Sequence, residues 1–305
     1  MIPSFLIRLS PKILVCISSF YNKRIPMDDK IISNSRALLQ ECDAVLIGAG
    51  SGLSTAAGIE YGGERFQRNF PDYIAKYGMR DMYSAGFYPF ASLEEKWGFR
   101  SKQVKLNRYD TKVGDVYLKL LDLVRHKPYF VITTNVDAQF ERAGFDKRNI
   151  FAVQGDYGKF QCTVPCHNKL YDNESQISAM AAQQADCQIP SELVPYCPNC
   201  GEPMMLHVRI DNTFVENSNW HAAKQGYSEF LGQFHNQKLL LLELGVGFNT
   251  PTIIRFPFEQ FSRQFPHTHL IRLNKHNARS LDTLKTSNLL VEGDICQWLN
   301  KLTEL

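Results

Sequence analysis

The chain has 305 residues, 44% of them hydrophobic and 21% charged, which is enough for one large domain with a smaller one attached. Its formal net charge of +3, without a long run of Lys or Arg, argues against a surface that follows the phosphates of a nucleic acid. No stretch is long and apolar enough to span a membrane. We therefore expect neither nucleic acid nor a membrane as a partner.

The first 26 residues mix short apolar runs with basic residues, as a signal peptide does. However, the apolar stretch at 13–20 is short, Pro11 interrupts the segment, and no small-residue cleavage site follows. Met27 then opens an acidic segment that leads into a helical pattern. We interpret residues 1–26 as an N-terminal arm or an over-extended start, and residues 27–305 as the folded part.

Helical and strand-like patterns alternate after this arm, as they do in a parallel sheet with helices on both faces. The pattern predicts an α/β fold, with a doubly wound, Rossmann-like parallel sheet built from residues 27–65, 110–158 and 207–305. Residues 66–109 are rich in aromatic residues without a strict period, which favours a helical lid. Residues 159–206 combine paired cysteines with Pro, Asn and Gly, which indicates a small, loop-rich inserted module.

A glycine-rich turn follows the first predicted strand, with Gly48, Gly50 and Gly52 ahead of a possible helix. Glycines at this place let the backbone approach a pyrophosphate, whose charge is met by N–H groups at the start of the helix. The complete G-x-G-x-x-G spacing is not met, because Leu53 or Thr55 stands where the third glycine belongs. Taken alone, the turn is equally consistent with a tight strand-to-helix connection that binds something else.

Four of the eight cysteines form two close pairs, the second within YCPNCGEPM. Two short turns that each present two thiolates form a tetrahedral site of the kind that Zn²⁺ prefers, and four protein ligands make such a zinc structural. Free buried thiols are the alternative, and Cys187 and His167 are possible substitute ligands. This pattern in a long chain favours a reducing cytoplasm over a secreted disulfide scaffold. The predicted metal ligands are Cys162, Cys166, Cys197 and Cys200.

From about residue 30 to its end the chain resembles the sirtuins. Residues 50–59 look like the sirtuin NAD loop GAGISTSAGI, TTNVD at 133–137 is similar to TQNID, and ERAG at 141–144 to HERAG. The GVG run at 245–247 stands where a phosphate-contacting GTS is usual. The resemblance implies a sirtuin-like catalytic domain over 27–305 with NAD as cofactor. The NAD-binding residues that it implies are Gly50, Ser51, Gly52, Ser54, Thr55, Gly58, Ile59, Arg65, Thr134, Asn135, Val136, Asp137, Gln154, Gly245, Val246, Gly247, Asn274, Asp294 and Ile295.

The departures from the sirtuin pattern concern the reaction. Sirtuin deacylases have a His-Gly pair before the zinc module, and that histidine takes a proton through the ribose hydroxyls; this chain has Gln154 followed by Gly155. A glutamine amide does not titrate near neutral pH, so we expect lysine deacylation to be poor or absent. The PDFR motif is also missing, with Arg65 as the equivalent of its arginine, and LHVRIDNTF at 206–214 replaces the FFGE-like peptide-binding stretch.

Together these substitutions, with the QGDYG run, are similar to the macrodomain-linked, M-class sirtuins of microbes. That resemblance implies transfer of ADP-ribose from NAD to a protein, with a lipoylated glycine-cleavage H-like carrier as acceptor and a macrodomain hydrolase as functional partner. It assigns Asp137 to the nicotinamide carboxamide, Asn135 to the ribose or the attacking group, and Gln154 to the ribose hydroxyls. Helix capping is the alternative for Asn135 and Asp137.

Three further polar residues follow the predicted catalytic positions: Asp156, Arg209 and Asp211. They either touch acceptor or cofactor, or serve as a turn cap and as solvated charges on an edge strand. We interpret His207 and His221 as structural or surface histidines. Two other functions stay open for the chain, an NAD-dependent deacylase with a substitute base and a module that binds NAD without chemistry.

Overall fold

The computed structural model of the protein describes residues 28–280, 284–285 and 287–304. The predicted arm or over-extended start at 1–26 lies outside the described residues. In chain order the strands are β1 (Ala44–Ala49), β2 (Tyr129–Thr133), β3 (Ile150–Ala152), β4 (Gly155–Cys162), β5 (Tyr171–Asp172), β6 (Met204–Val208), β7 (Leu239–Leu244), β8 (His269–Asn274) and β9 (Leu289–Glu292).

The helices cover the sheet and build the regions attached to it. They are α1 (Asp29–Glu41), α2 (Ser51–Ala56), α3 (Gly63–Asn69), α4 (Pro71–Tyr77), α5 (Met82–Ala85), α6 (Leu93–Val104), α7 (Asp115–Val124), α8 (Gln139–Arg142), α9 (Glu174–Ala182), α10 (Ser218–Phe234), α11 (Arg255–Gln264) and α12 (Ile295–Thr303). A π-helical turn (Lys105–Tyr109) continues α6, and 3₁₀ turns lie at Lys147–Asn149 and Ser191–Leu193.

The larger sheet has six parallel strands in the order β3-β2-β1-β7-β8-β9. β1 and β7 are buried at every position, as expected of central parallel strands that are covered on both faces. Val45 and Ile47 pack with α1, α2, α7 and α12, whereas Ala44 and Leu46 pack with α10 and α11 on the other face. The predicted doubly wound α/β fold is confirmed.

The order of the strands reverses between β1 and β7, because β2 and β3 lie on one side of β1 while β8 and β9 lie beyond β7. In open α/β sheets the connections that leave the carboxyl ends of such a strand pair diverge and leave a crevice in which ligands bind. Both strands here end in a glycine turn. The topology therefore places the two turns on either side of the crevice.

The inserted module contains a three-stranded antiparallel sheet in the order β5-β4-β6 together with α9. Helices α3 to α6 form the lid, with Phe70, Tyr73 and Phe99 in its aromatic core. On α6 a Cβ at Gly98 would lie 2.4 Å from the carbonyl oxygen of Cys187 in the module. This close approach requires glycine, so the lid and the module pack directly against each other.

Candidate active site and cysteine cluster

The two glycine turns touch each other through their backbones. Gly52 N–H donates to the carbonyl oxygen of Gly245 at 2.9 Å, and Gly245 has a φ of +64°. A Cβ on Gly50 would lie 2.8 Å from the Gly245 oxygen, and one on Gly52 would lie 2.6 Å from the Gly245 Cα. Side chains are therefore excluded from both turns, which leaves their backbone atoms facing the crevice.

The other residues of the first loop divide between surface and core. Ser51 and Thr55 are exposed on α2, whereas Ile59 is buried. Gly58 has a φ of +82° and ends the loop in the left-handed region that favours glycine. Gly48 has a different role, since a Cβ there would lie 2.5 Å from the side chain of Ile254, so it allows helix α11 to approach β1.

Asn135 connects the end of β2 to the first glycine turn. Its Nδ2 donates to the carbonyl oxygen of Gly50 at 3.0 Å, and its backbone N–H donates to Thr133 Oγ1 at 3.0 Å. Thr133 Oγ1 in turn donates to Ala49 O, and Thr134 N–H donates to the same oxygen. The side chain of Asn135 is thus held across the carboxyl ends of β1 and β2 and does not cap helix α8.

Asp137 is buried beside the first glycine loop. Its Oδ2 accepts a hydrogen bond from Ser54 Oγ at 2.5 Å, and its Oδ1 accepts one from the N–H of Gln139, the first residue of α8. It therefore supports the start of α8 as well as contacting the loop. Burial raises the pKa of Asp137, while the hydrogen bonds from Ser54 and Gln139 oppose this rise.

Two of the three predicted catalytic residues, Asn135 and Asp137, line a small cavity of about 20 Å³ together with Asp156. Gln154 lies in the turn between β3 and β4, and its carbonyl oxygen accepts from the N–H of Arg209 at 3.0 Å. Within the described part of the chain its side-chain amide makes no hydrogen bond, and it does not line this small cavity.

Gly155 fixes the backbone next to Gln154. It has a φ of +96°, and a Cβ there would lie only 2.0 Å from the carbonyl oxygen of His207. A side chain at position 155 would push β4 away from β6. Glycine is therefore required where the chain leaves the parallel sheet and enters the module.

The three additional polar candidates are held in local contacts. Asp156 accepts from Arg108 Nε at 2.9 Å and from the Gly158 N–H at 2.7 Å. Arg209 donates to Glu216 Oε1 at 2.6 Å, with its guanidinium stacked on the Phe214 ring. Asp156 thus caps the turn at Gly158, whereas Arg209 is a partly buried, ion-paired residue and not a solvated charge.

The remaining polar residues near β6 also have structural contacts. Asp211 accepts from the N–H and the hydroxyl of Thr213 within a turn. His207 is buried, lies 2.9 Å through Nε2 from the carbonyl oxygen of Val215, and has a pKa lowered by burial. The ring of His221 packs edge-on against Trp220.

Arg65 points into the lid. It donates to the carbonyl oxygen of Glu60 at 2.9 Å and to Asn107 Oδ1 at 2.7 Å. Burial lowers its pKa. The structure therefore links Arg65 to the segment that follows the glycine loop and to the π-helical turn that continues α6. Val136 faces the same region, since its carbonyl oxygen accepts from the N–H of Tyr157.

The second glycine turn is tied to Asn274, one of the residues predicted to bind NAD. The carbonyl oxygen of Val246 accepts from Asn274 Nδ2 at 2.9 Å and from Arg255 Nη1 at 3.1 Å. Gly247 follows with open space around its Cα. Beyond it, Asp294 caps α12 and Ile295 is buried in the core. A cavity of about 330 Å³ lies next to this turn, lined by Phe248, Lys275, His276, Asn277, Arg279 and Glu292.

Behind this turn lies a buried ion network that the sequence analysis missed. Arg272 on β8 donates to both carboxylate oxygens of Glu243 on β7, at 2.7 and 2.8 Å, and to Glu259 Oε1 at 2.5 Å. Arg255 lies 3.8 Å from Glu243 and reaches the carbonyl oxygens of Asn277 and Val246. A single charged residue inside each of two apolar strands was the available signal.

The four predicted metal ligands come together in the module. Their sulfurs all lie within 4.8 Å of one another, with Cys162 to Cys200 and Cys166 to Cys197 each at 3.6 Å. Thiolates in a tetrahedral zinc site, with Zn–S distances of about 2.3 Å, are about 3.8 Å apart, so the arrangement fits this metal. The predicted cysteine cluster is confirmed.

The two substitute ligands lie outside this cluster. Cys187 is buried in the aromatic core of the lid. His167 Nε2 lies 3.5 Å from Cys197 Sγ and 3.1 Å from Tyr171 Oη, which places it around the cluster as a supporting residue.

Comparison with known proteins identifies the class and then the family. No protein-family model matches the chain. Its fold is that of the sirtuins: it superimposes on the structure of Sir2Tm bound to a propionylated peptide with a TM-score of 0.58 and 18% identity, covering 89% of this chain and 96% of that one.

Two relatives carry the identification further. The chain is 38% identical over 261 residues to "Protein ADP-ribosyltransferase" of Staphylococcus aureus, an alignment covering 85% of this chain and 83% of that protein. It is 34% identical over 245 residues to the "Probable bifunctional ADP-ribose hydrolase/ADP-ribosyltransferase" of Fusarium oxysporum f. sp. cubense, covering 75% of this chain and 39% of the fungal protein. The chain belongs to the sirtuin-type, NAD-dependent protein ADP-ribosyltransferases. No helix within its described residues combines the length and apolarity needed to cross a bilayer.

Proposed function

We propose that the chain transfers ADP-ribose from NAD to a lipoylated glycine-cleavage H-like carrier protein, and that a macrodomain hydrolase removes this mark. The observation that carries the proposal is Gln154, which stands where sirtuin deacylases have an ionisable histidine. The name of the fungal relative, which pairs a hydrolase with a transferase, supports the macrodomain as functional partner. The carrier rests on the resemblance to macrodomain-linked sirtuins.

The roles that we propose follow from the contacts of each side chain. Asp137, buried and anchored by Ser54, is placed to accept the N–H of the nicotinamide carboxamide. Asn135, held on the Gly50 carbonyl oxygen, orients the ribose or the attacking group. The amide of Gln154 forms no hydrogen bond within the described residues and is available to the ribose hydroxyls.

These roles suit a reaction that needs positioning more than a base. The C1′–N glycosidic bond breaks and its electron pair leaves with nicotinamide, while an acceptor oxygen forms the new bond to C1′. A carboxylate acceptor carries no proton that must be removed, so Gln154 can serve by holding the ribose in place. A deacylase cycle in contrast requires a proton acceptor at this position.

We further propose that the four cysteines hold a structural zinc ion, as the spacing of their sulfurs supports. Four protein thiolates leave no ligand position for substrate, so the ion would stabilise the module next to β6 and take no part in the chemistry. Thiolates of this kind persist in a reducing compartment, which supports the cytoplasm as the location.

The test uses labelled NAD with the carrier in its lipoylated and unmodified forms. Wild type is compared with Asn135→Ala and Gln154→Ala, and the matched control is Asn236→Ala, an exposed residue outside the site. We expect labelled carrier and released nicotinamide from the wild type and the control. Both site variants should lose at least about tenfold in rate, because positioning contributions of this kind exceed 1.4 kcal/mol.

Three results would contradict the proposal. Equal labelling by all four proteins would remove the residue roles. Robust turnover of an acyl-lysine peptide would favour a deacylase with a substitute base. Binding of NAD without nicotinamide release, with any acceptor, would favour a module that senses NAD.

A further inference from the structure

The π-helical turn that continues α6 reaches the inserted module through an ion pair and a hydrogen bond. Arg108 donates to Asp156 of β4 through Nε at 2.9 Å and through Nη2 at 3.3 Å. The next residue, Tyr109, donates through Oη to Asn173 Oδ1 at 2.5 Å. Turns of this kind are rare and occur frequently at functional sites. None of the roles proposed above uses the ion pair of Arg108 with Asp156.

This ion pair lies where the ladder between β4 and β6 is interrupted. Asp156 pairs with His207, after which residues 157–159 leave the ladder and form a bulge. Bulges are frequent next to active sites, where they redirect the chain. The carboxylate of Asp156 also accepts the Gly158 N–H at 2.7 Å, and a Cβ on Gly158 would lie 3.2 Å from Arg108 Nη2. Arg108 therefore lies directly against the bulge and its first partner.

The bulge holds the loop that follows β2. Tyr157 within the bulge donates its backbone N–H to the carbonyl oxygen of Val136 at 2.9 Å, which fixes the peptide group before Asp137. The following residue, Ala138, has a φ of +53°, a left-handed conformation that persists only where the surrounding structure imposes it. The bulge also begins shortly after Gln154. One ion pair thus restrains both segments that carry the proposed catalytic residues.

The same ion pair sets the balance of charge beside Asp137. Three carboxyl groups, those of Asp137, Glu141 and Asp156, line the small cavity of about 20 Å³. Burial raises the pKa of Asp137, and the charge of Asp156 adds to this rise. The charge of Arg108 opposes it, together with the hydrogen bonds to Asp137 described above. Arg108 therefore favours the ionised form of Asp137 as well as holding its neighbour.

The other titratable groups that face Asp137 are uncharged at neutral pH. They are three tyrosine hydroxyls whose pKa values are raised by burial: Tyr61, Tyr117 and Tyr157. Glu141 on α8 faces Asp156 and Arg108, and burial raises its pKa as well. The charges that act on Asp137 are therefore those of Arg108 and Asp156.

We propose that Arg108 is a positioning residue for the transfer reaction: through Asp156 it holds the bulge at 157–159, and with it the loop of Asp137, in the geometry that receives the nicotinamide end of NAD. The inference rests on the proposed role of Asp137. An arginine suits this position because its planar fork supplies two donors to one carboxylate, which the single ammonium of a lysine does not.

The test is calorimetry of the full chain over a series of pH values, with NAD and with ADP, which lacks nicotinamide and the second ribose. Arg108→Met should weaken NAD binding at neutral pH at least about tenfold, since one hydrogen bond to a charged group accounts for this factor. The midpoint of the loss of NAD affinity at low pH should move upward by about one pH unit, because Asp156 then lacks its cation. The affinity for ADP should stay unchanged.

Two variants of the same turn serve as references. Arg108→Lys keeps the charge without the fork, so it should keep the wild-type midpoint and recover part of the NAD affinity. Lys105→Met removes a cation whose partner, Asp110, is exposed outside the site, and it should bind both ligands as wild type does.

Asp156→Asn provides a test of opposite sign. It leaves Arg108 without the carboxylate, so the midpoint for NAD should move downward, and it supplies the result if Arg108→Met fails to fold. Melting temperatures are measured alongside, because a merely structural contact would change them without moving the midpoint. Equal losses of NAD and ADP affinity in Arg108→Met, or wild-type midpoints in both Arg108→Met and Asp156→Asn, would overturn the proposal.

Asp137→Asn separates this inference from the proposed function. If it binds NAD as wild type does at every pH, the proposed role of Asp137 and the role of Arg108 fail together. If Asp137→Asn loses NAD affinity while Arg108→Met retains it, only the role of Arg108 is overturned.

Discussion

At the carboxyl ends of β1 and β7 two glycine turns meet through backbone atoms, whereas a cavity of about 400 Å³ beneath α6 is bounded by side chains with an exposed aromatic rim. Backbone contacts such as the hydrogen bond from the Gly52 N–H to the Gly245 oxygen leave no room for a side chain. The surface of the glycine turns is therefore fixed, which suits the binding of an invariant ligand such as a cofactor. Side-chain walls can change without disturbing the sheet. The molecule thus combines a surface fixed by backbone contacts with one whose side chains can vary.

The two regions also differ in the interactions that stabilise the structure around them. A buried network centred on Arg272 lies behind the second glycine turn, and the module on the lid side has its four cysteines instead.

Removal of the metal should have the largest effect, on the module side alone. Cys197→Ser, or treatment with a strong chelator, is expected to unfold the module and abolish transfer, since structural zinc binding contributes an apparent 10–16 kcal/mol, on the order of that measured in zinc-finger peptides. Metal analysis should find one zinc per chain. Cys296→Ser, a half-buried thiol outside the cluster, is the control and should retain metal and activity. Full activity in the metal-free protein would contradict a structural zinc.

Arg272→Met should have the next largest effect, on the opposite side of the molecule. It removes the cation that the buried carboxylates of Glu243 and Glu259 share and leaves only the longer contact of Arg255 with Glu243, which should lower the free energy of unfolding by about 3–5 kcal/mol in denaturant titrations. The loss should shrink as the pH falls, because burial raises the pKa of Glu243 and protonation removes the unpaired charge. The exposed ion pair of Arg148 with Asp146 serves as the control. Arg148→Met should lower the free energy of unfolding by about 1 kcal/mol or less.

Gly245→Ala tests whether the second glycine turn needs its backbone held in contact with the first. A Cβ there would lie 2.4 Å from the backbone nitrogen of Leu53, and the φ of +64° disfavours a side chain. We expect kcat/KM for NAD to fall by about 100-fold, since displacements near 1 Å have effects of this size. Gly232→Ala, with open space around it, should leave the kinetics unchanged. A Gly245→Ala variant with wild-type kinetics would show that the turns do not meet as described.

The smallest expected effect concerns pH. Because burial raises the pKa of Asp137, kcat/KM for NAD should fall on the acid side with a midpoint above the ordinary aspartate value of about 3.9. The value of kcat/KM should fall towards low pH because only the ionised carboxylate of Asp137 can use both of its oxygens as acceptors for the carboxamide N–H. This fall of kcat/KM at low pH should disappear in Asp137→Asn. A fall that persists there would assign the titration to another group.

The larger sheet and the cysteine cluster could be predicted because their signals are local. An unbroken apolar run predicts a central strand such as β1, and paired cysteines predict a cluster from spacing alone. The resemblance assigns Asn135 to the ribose or the attacking group, whereas its contact with Gly50 depends on the placement of β2 beside β1. The local sequence pattern thus predicts the secondary-structure elements, whereas the contacts between elements become visible only in the folded structure.

Other features had no local signal. Glu243 and Arg272 stand alone in their strands, and only the pairing of β7 with β8 brings them together. Arg108 lies at the end of the aromatic segment 66–109, which lacks a period from which an inner face can be read. Arg65 bonds to Asn107 across the lid, an interaction that the motif comparison does not contain.

We propose that Gln154 allows transfer of ADP-ribose without the base that deacylation requires. The most direct test incubates the wild-type protein and Gln154→His with NAD, the lipoylated carrier and an acyl-lysine peptide together. Mass spectrometry then follows the ADP-ribosylated carrier and the deacylated peptide. We expect wild type to label the carrier and to leave the peptide acylated. Faster deacylation of the peptide than labelling of the carrier by the wild type would contradict it.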